Sequence, residues 1–275
     1  MLPKLGLHCQ SPSVTISSDQ GNNERMFKIL ILLCIQFVLM PGALCTTEVS
    51  THIVFISDSH GNCEFGEQMN KLLRSVNGSY VHSLAIGGSS PDTWLRPTRR
   101  VVSPLGIEER GYAGDPVLRP RKLVKTTTPY FPDFLLKSFV QNATARKLTV
   151  INLGTNSLTP THLQKESEKM VRVVFDHKSD CVWISPPNSR RWSNEKTATY
   201  YQAIHEGLEA AGEGGPSNKK CLLIDSGKLT EFPSDLPRGP TVDGVHYCWH
   251  PELIKRANQW AEKAFPQIKS YFSLE

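Results

Sequence analysis

Apolar and polar residues alternate along this chain in two distinct rhythms from about residue 51 onward. Compact apolar runs predict strands at His52–Ser57, Tyr80–Ile86, Lys147–Leu153, Cys181–Ser185 and Cys221–Asp225. Runs such as Leu-Thr-Val-Ile-Asn-Leu (148–153) and Cys-Val-Trp-Ile (181–184) leave no polar face, which suits strands covered on both sides of a parallel sheet. Between them, apolar residues recur at helical spacing. Glu64–Val76 puts Phe65, Met69, Leu72, Leu73 and Val76 on one stripe. Further helices are predicted over Pro132–Val140, Thr161–His177, Asn194–Ala211 and Pro251–Ile268, with Pro160 and Pro251 at favourable first-turn positions. Strands alternating with helices imply an α/β chain, here a flavodoxin-like three-layer α/β/α sandwich with a five-stranded parallel sheet.

Two segments depart from this rhythm. Residues 91–133 are rich in Pro, Arg and Gly and show little strand or helix pattern. A connection that long suggests an insertion that borders or covers a site, and it carries Trp94 and Arg96 as candidate substrate contacts. At the other extreme, residues 27–45 have a basic start, an apolar run over 29–40 and a small-residue end. The run is shorter than the roughly 20 residues of a membrane span and reads as a signal peptide. Residues 1–45 are thus an N-terminal extension and signal, and 46–275 a single domain. The expected location is secreted or periplasmic, with membrane attachment only through an uncleaved N-terminal segment.

Export changes how the cysteines are read. Beyond Cys45 four remain, Cys63, Cys181, Cys221 and Cys248, which permit two disulfides in three pairings. Cys181 and Cys221 each open a strand, so they could face one another. Cys63 and Cys248 each lie close to residues with candidate chemistry. Asn77-Gly-Ser79 and Asn142-Ala-Thr144 are glycosylation sequons. The net charge of +5 is spread along the chain, which gives no case for a nucleic-acid partner.

The candidate chemistry begins where the first strand stops, at Ile56-Ser-Asp-Ser-His-Gly-Asn62. A strand that ends in a tight turn and feeds a helix presents its turn at the carboxyl edge of a parallel sheet, where open α/β sheets hold ligands. Asp58 and His60 look like the opening Asp-x-His motif of calcineurin-like metallophosphoesterases. That reading needs further ligands after later strands. The chain offers Ile86-Gly-Gly-Ser-Ser-Pro-Asp92 and Leu153-Gly-Thr-Asn-Ser157 at those places, and no Gly-His-x-His anywhere.

The alternative is a serine nucleophile. Asp58-Ser59, Gly88, Gly154-Thr-Asn156 and Asp243-Gly-Val-His246 fall in order, three of them at predicted strand ends and the last before the final helix. In these blocks the chain resembles the SGNH (GDSL-type) hydrolase family, over residues 52–268. The resemblance implies Ser59 as nucleophile, His246 as base and Asp243 as its orienting acid. It also implies an oxyanion hole built from the Ser59 and Gly88 backbone N–H groups and the Asn156 amide, with no metal and no cofactor. Ser57 stands where the family usually has Gly, and His60, where it usually has Leu, could alter the pocket; Asp58 and His60 are candidate substrate contacts. His250 is a rival base outside the Asp-x-x-His spacing. No Gly-x-Ser-x-Gly elbow exists, which argues against an ordinary α/β-hydrolase. Family members cleave acetyl esters on carbohydrates, lipid esters and thioesters. The implied activity is carboxylic ester hydrolysis, with O-acetyl groups on a carbohydrate or envelope polymer as the expected substrate. Alternatives are a lipid ester substrate, the metallophosphoesterase and a catalytically silent carbohydrate-binding relative.

Overall fold

The computed structural model describes residues 51–96, 100–103, 107–110, 116–118, 124–139, 145–213 and 220–274. The expected signal peptide with its hydrophobic run, and the sequon at Asn142, lie outside them. In chain order the elements are β1 (Thr51–Ser57), α1 (Glu64–Arg74), β2 (Ser79–Ile86), α2 (Pro91–Leu95), β3 (Arg100–Ser103), β4 (Ile107–Arg110), β5 (Pro116–Leu118), β6 (Val124–Thr127), α3 (Phe131–Phe139), β7 (Arg146–Asn152), α4 (Pro160–Asp176), β8 (Asp180–Ile184), α5 (Asn194–Gly212), β9 (Leu222–Ile224), α6 (Ser226–Leu229) and α7 (Pro251–Phe272).

The main sheet runs β5-β4-β2-β1-β7-β8-β9. Its last five members are parallel to one another, in the flavodoxin-like order in which the chain steps to one side of β1 and then returns to the other. The expected five parallel strands are therefore present, but the sheet has seven strands among the described residues. β4 pairs antiparallel with β2, and β5 antiparallel with β4. These two strands come from the insertion, which also supplies α2 and a separate antiparallel pair, β3 and β6. These strands are three or four residues long, too short to show a period.

Both faces of the parallel sheet are covered, as the unbroken apolar runs require. Successive β1 side chains alternate between two cores. Val54 and Ile56 pack with Phe134, Leu135, Leu163, Met170, Trp183 and Ile204, under α3, α4 and α5. Ile53 and Phe55 pack with Phe65, Met69, Leu253, Trp260 and Ile268, under α1 and α7. Register then aligns the strand ends. Ser57 sits opposite Ala85 on β2 and Asn152 on β7, so the loops after all three strands leave from one edge. Ser57 Oγ donates to Asn152 Oδ1 at 2.9 Å, and Asn152 Nδ2 donates to the Ile184 carbonyl at 3.1 Å, tying β1, β7 and β8 together just below that edge.

Candidate active site

The turn after β1 is wound by three successive backbone bonds, from Gly61 N to Asp58 O, Asn62 N to Ser59 O and Cys63 N to His60 O. Asp58 Oδ1 accepts from the His60 N–H at 3.0 Å, closing the turn with its own side chain. Gly61 is required by close approach. A Cβ there would come 2.4 Å from Ser57 Cβ and 2.7 Å from Ala85 Cβ. This packing forces the turn against the sheet edge and fixes Ser59, which is 3% exposed.

His246 reaches the same point from a long irregular connection between α6 and α7. Its Nε2 lies 2.8 Å from Ser59 Oγ, across 187 residues of chain. Its Nδ1 lies 2.5 Å from Asp243 Oδ2. The other Asp243 oxygen accepts from the Val245 and His246 N–H groups, so the Asp-Gly-Val-His segment is a turn folded around its own carboxylate. Burial pushes the Asp243 carboxyl up, but the His246 side-chain and backbone hydrogen bonds outweigh it and hold the group well below the usual carboxylate range. Arg190 and Arg191 N–H groups donate to the Gly244 carbonyl, Arg191 Nε to the Asp243 carbonyl, and Tyr247 Oη to the Asn188 carbonyl. Nothing in a sequence period marks Asn188, Arg190 or Arg191, because their role is to satisfy the backbone of a distant loop.

The oxyanion-hole candidates meet at this edge too. Gly88 adopts φ 78°, a left-handed conformation that a side chain would disfavour, and turns the chain sharply after β2. Among the described residues neither the Ser59 nor the Gly88 backbone N–H donates to a protein acceptor. Asn156 Nδ2 donates to the Ser89 carbonyl at 3.0 Å and lies 3.5 Å from Asp58 Oδ2. The second contact is long and weak, so one amide hydrogen can turn to a developing oxyanion.

The remaining candidates have other surroundings. Trp94 is fully buried between Phe131 and Phe134, so it is a core residue and not a substrate platform. Its Nε1 donates to Ser89 Oγ, which steadies the residue whose carbonyl holds Asn156. Arg96 is exposed, but its guanidinium pairs with buried Asp92 at 2.8 Å and lies 4.0 Å from buried Glu166. It is engaged by those two carboxylates, the second of which also pairs with Lys169. His250 Nδ1 accepts from the Glu252 N–H and caps α7, which removes it as a rival base.

Asp58 and His60 are both about 1% exposed. Burial raises the Asp58 carboxyl to about 6. Burial and the facing His246 lower the His60 imidazole to about 3. The His60 ring lies against Tyr247, Trp260 and His246, and neither of its nitrogens has a hydrogen-bond partner among the described residues. No third carboxylate, imidazole or thiol of the described residues joins Asp58 and His60 at metal-sharing distance. The donors present fit a covered polar pair better than a two-metal centre, which needs several oxygen or nitrogen ligands.

Two disulfides are present among the described residues, Cys63–Cys248 and Cys181–Cys221, with Cα separations of 5.4 and 4.5 Å. Trp249, which no pattern singled out, packs on the first of them. It is partly exposed, has φ 61°, and its ring centroid is 6.3 Å from that of His246.

No protein-family model and no curated protein sequence matches the chain. Among solved structures it is similar to TesA, with 10% identity and a TM-score of 0.49 over 80% of this chain and 98% of that one. It is also similar to a GDSL-like lipase from Bacteroides thetaiotaomicron, with 11% identity and a TM-score of 0.40 over 86% of this chain and 97% of that one. At such values no residue role passes from either protein to this one. The sheet order, with the four sequence blocks gathered at its carboxyl edge, is consistent with an SGNH (GDSL-type) hydrolase fold.

Proposed function

We propose that the chain is a serine esterase that hydrolyses carboxylic esters through an acyl-Ser59 intermediate. The observation that carries this reading is the continuous row from Ser59 Oγ through His246 to Asp243, with contacts of 2.8 and 2.5 Å. A serine hydroxyl is a weak nucleophile until a base accepts its proton. His246 Nε2 is within reach of that proton, and Asp243 fixes the Nδ1–H tautomer and favours the imidazolium that forms. Ser59 Oγ attacks the acyl carbon as its proton moves to His246. The carbonyl oxygen becomes an oxyanion facing the N–H groups of Ser59 and Gly88 and the Asn156 amide. His246 then returns the proton to the departing alcohol, leaving the acyl group on Ser59. A water, deprotonated by the same imidazole, releases the acid and restores the hydroxyl.

Within this class we favour a small acyl group, such as acetyl, on a carbohydrate in an extracytoplasmic setting. Trp249 supplies a partly exposed aromatic face near His246, suited to a sugar ring. Trp94 and Arg96 no longer contribute to this preference. Hydrolysis of a chromogenic acetate ester by the wild type, Ser59→Ala and Asp58→Asn, with and without chelator, tests the reading. Loss confined to Ser59→Ala, with indifference to chelator, is the expected result. Loss on chelation points to a metal enzyme, and absence of turnover with retained glycan binding points to a silent binder. Comparing acetylated xylan with long-chain lipid esters separates the two substrate classes.

A further inference from the structure

Ser59 and His246 are joined twice. One join is their hydrogen bond. The other is covalent and runs through neighbouring residues. Cys63 lies four positions after Ser59, Cys248 lies two positions after His246, and the two are bonded. Cys63 Sγ is also 3.3 Å from the Ser59 carbonyl oxygen, so the bridge touches the nucleophile's own peptide group. Nucleophile, bridge and base thus form a small closed ring across the sheet edge.

The rest of the loop explains why such a ring matters. Between the end of α6 at Leu229 and the start of α7 at Pro251 there is no helix or strand, only an isolated bridge between Gly239 and Val242. Several of its residues, among them Arg238, Gly239 and Pro240, are exposed. Backbone of this kind holds a side chain loosely unless something anchors it. The bridge is such an anchor. Both its cysteines are buried, and with Trp249 they form a separate apolar cluster outside the two main cores. Trp249 occupies the left-handed region at φ 61°, a conformation that a bulky residue keeps only where its surroundings over-determine it. The bond from His250 N to the Cys248 carbonyl, at 2.7 Å, closes that strained turn.

The second disulfide provides an internal contrast. Cys181 lies near the amino end of β8 and Cys221 just before β9, at the sheet edge opposite to the site. It is a staple of comparable separation with no catalytic neighbour.

We propose that Cys63–Cys248 is a positioning bridge for the catalytic pair, so that turnover requires this bond although the fold does not. The proposal rests on the serine-esterase reading and confines activity to surroundings in which the disulfide persists. The test compares purified Cys63→Ala/Cys248→Ala and Cys63→Val/Cys248→Ala proteins with Cys181→Ala/Cys221→Ala and the wild type, by thermal melt, kcat and KM on an acetate ester. Both near-site variants are expected to fold, and to lose kcat by about 10- to 100-fold with KM changed by no more than about 2-fold, the scale on which a misplacement near 1 Å acts. The distal variant should keep wild-type kcat whatever it loses in melting temperature. Wild-type kcat in a folded near-site variant, or an equal loss in the distal one, would overturn the proposal. So would failure of both near-site variants to fold where the distal variant folds, since the bond would then belong to the fold. If the wild type hydrolyses no ester, the esterase reading fails. The bridge is then judged by a crystal structure of the near-site variant. There the Ser59 Oγ to His246 Nε2 distance should exceed about 3.5 Å, and retention of the hydrogen bond would sink the proposal.

Discussion

Asp58, Ser59 and His60 are consecutive and polar, yet they fall into two regions of opposite character. Ser59 belongs to a row in which every polar atom that matters has a partner, from its own Oγ through His246 to Asp243. Asp58 and His60 point into the protein, where one carries a raised carboxyl and the other an imidazole with no hydrogen bond. Residue type alone does not tell these regions apart. Asp58 and His60 suggest metal ligands to anyone reading the sequence, while the nucleophile proposed above is their neighbour. The difference lies in what the rest of the chain brings to each atom.

Breaking the row should have the largest effect. Ser59→Ala or His246→Ala should reduce kcat by about 10⁴- to 10⁶-fold with the melting temperature little changed, checked by initial rates and a thermal scan. Asp243→Asn keeps the shape but loses the charge, and with it the preferred tautomer. A drop of about 10⁴-fold in kcat is expected, with KM near wild type. Asn156→Ala should cost about 10²- to 10³-fold in kcat, the usual worth of one oxyanion donor. An unchanged rate would show that its bonds to Ser89 and Asp58 are its whole role.

Breaking the covered pair should do far less to activity and more to stability. Replacing His60 by Leu removes two buried nitrogens without partners, which should stabilise the fold by about 1–3 kcal/mol, with kcat within a few-fold of wild type. A collapse of activity would move His60 into the catalytic row. The pair should also oppose one another in pH dependence. His60 is lowered from 6.5 to about 3, so between those values the unfolded chain binds more protons and stability falls as the pH falls. Asp58 is raised from 3.8 to about 6, so there the native state binds more protons and stability falls as the pH rises. Denaturant melts from pH 4 to 7 should lose the first slope in His60→Leu and the second in Asp58→Asn. Slopes unchanged from wild type would mean that neither group titrates as placed.

How much of this was legible follows from the same contrast. The parallel core reads from apolar runs because Ile53 to Ile56, Leu148 to Leu153 and Cys181 to Ile184 are covered on both faces. The strand-end blocks read because Gly88 and the Asp243-to-His246 spacing are short-range necessities of turn and tautomer. What failed to read depends on long-range company. Trp94 looked like a platform in a polar segment, but α2 sets it between Phe131 and Phe134 of α3, where it is buried. Arg96 looked available, but Asp92 and Glu166 take it. Trp249 carried no pattern, since its left-handed backbone and its place on the disulfide exist only after Cys63 and Cys248 meet.

The most direct test of the central claim asks which side-chain oxygen displaces fluoride from a fluorophosphonate and becomes phosphonylated. Incubation with a fluorophosphonate, followed by peptide mass mapping, should find one adduct, on Ser59, in the wild type. His246→Ala should form it at a small fraction of the rate. An adduct on another residue, or brisk ester hydrolysis with Ser59 unlabelled, would contradict the account.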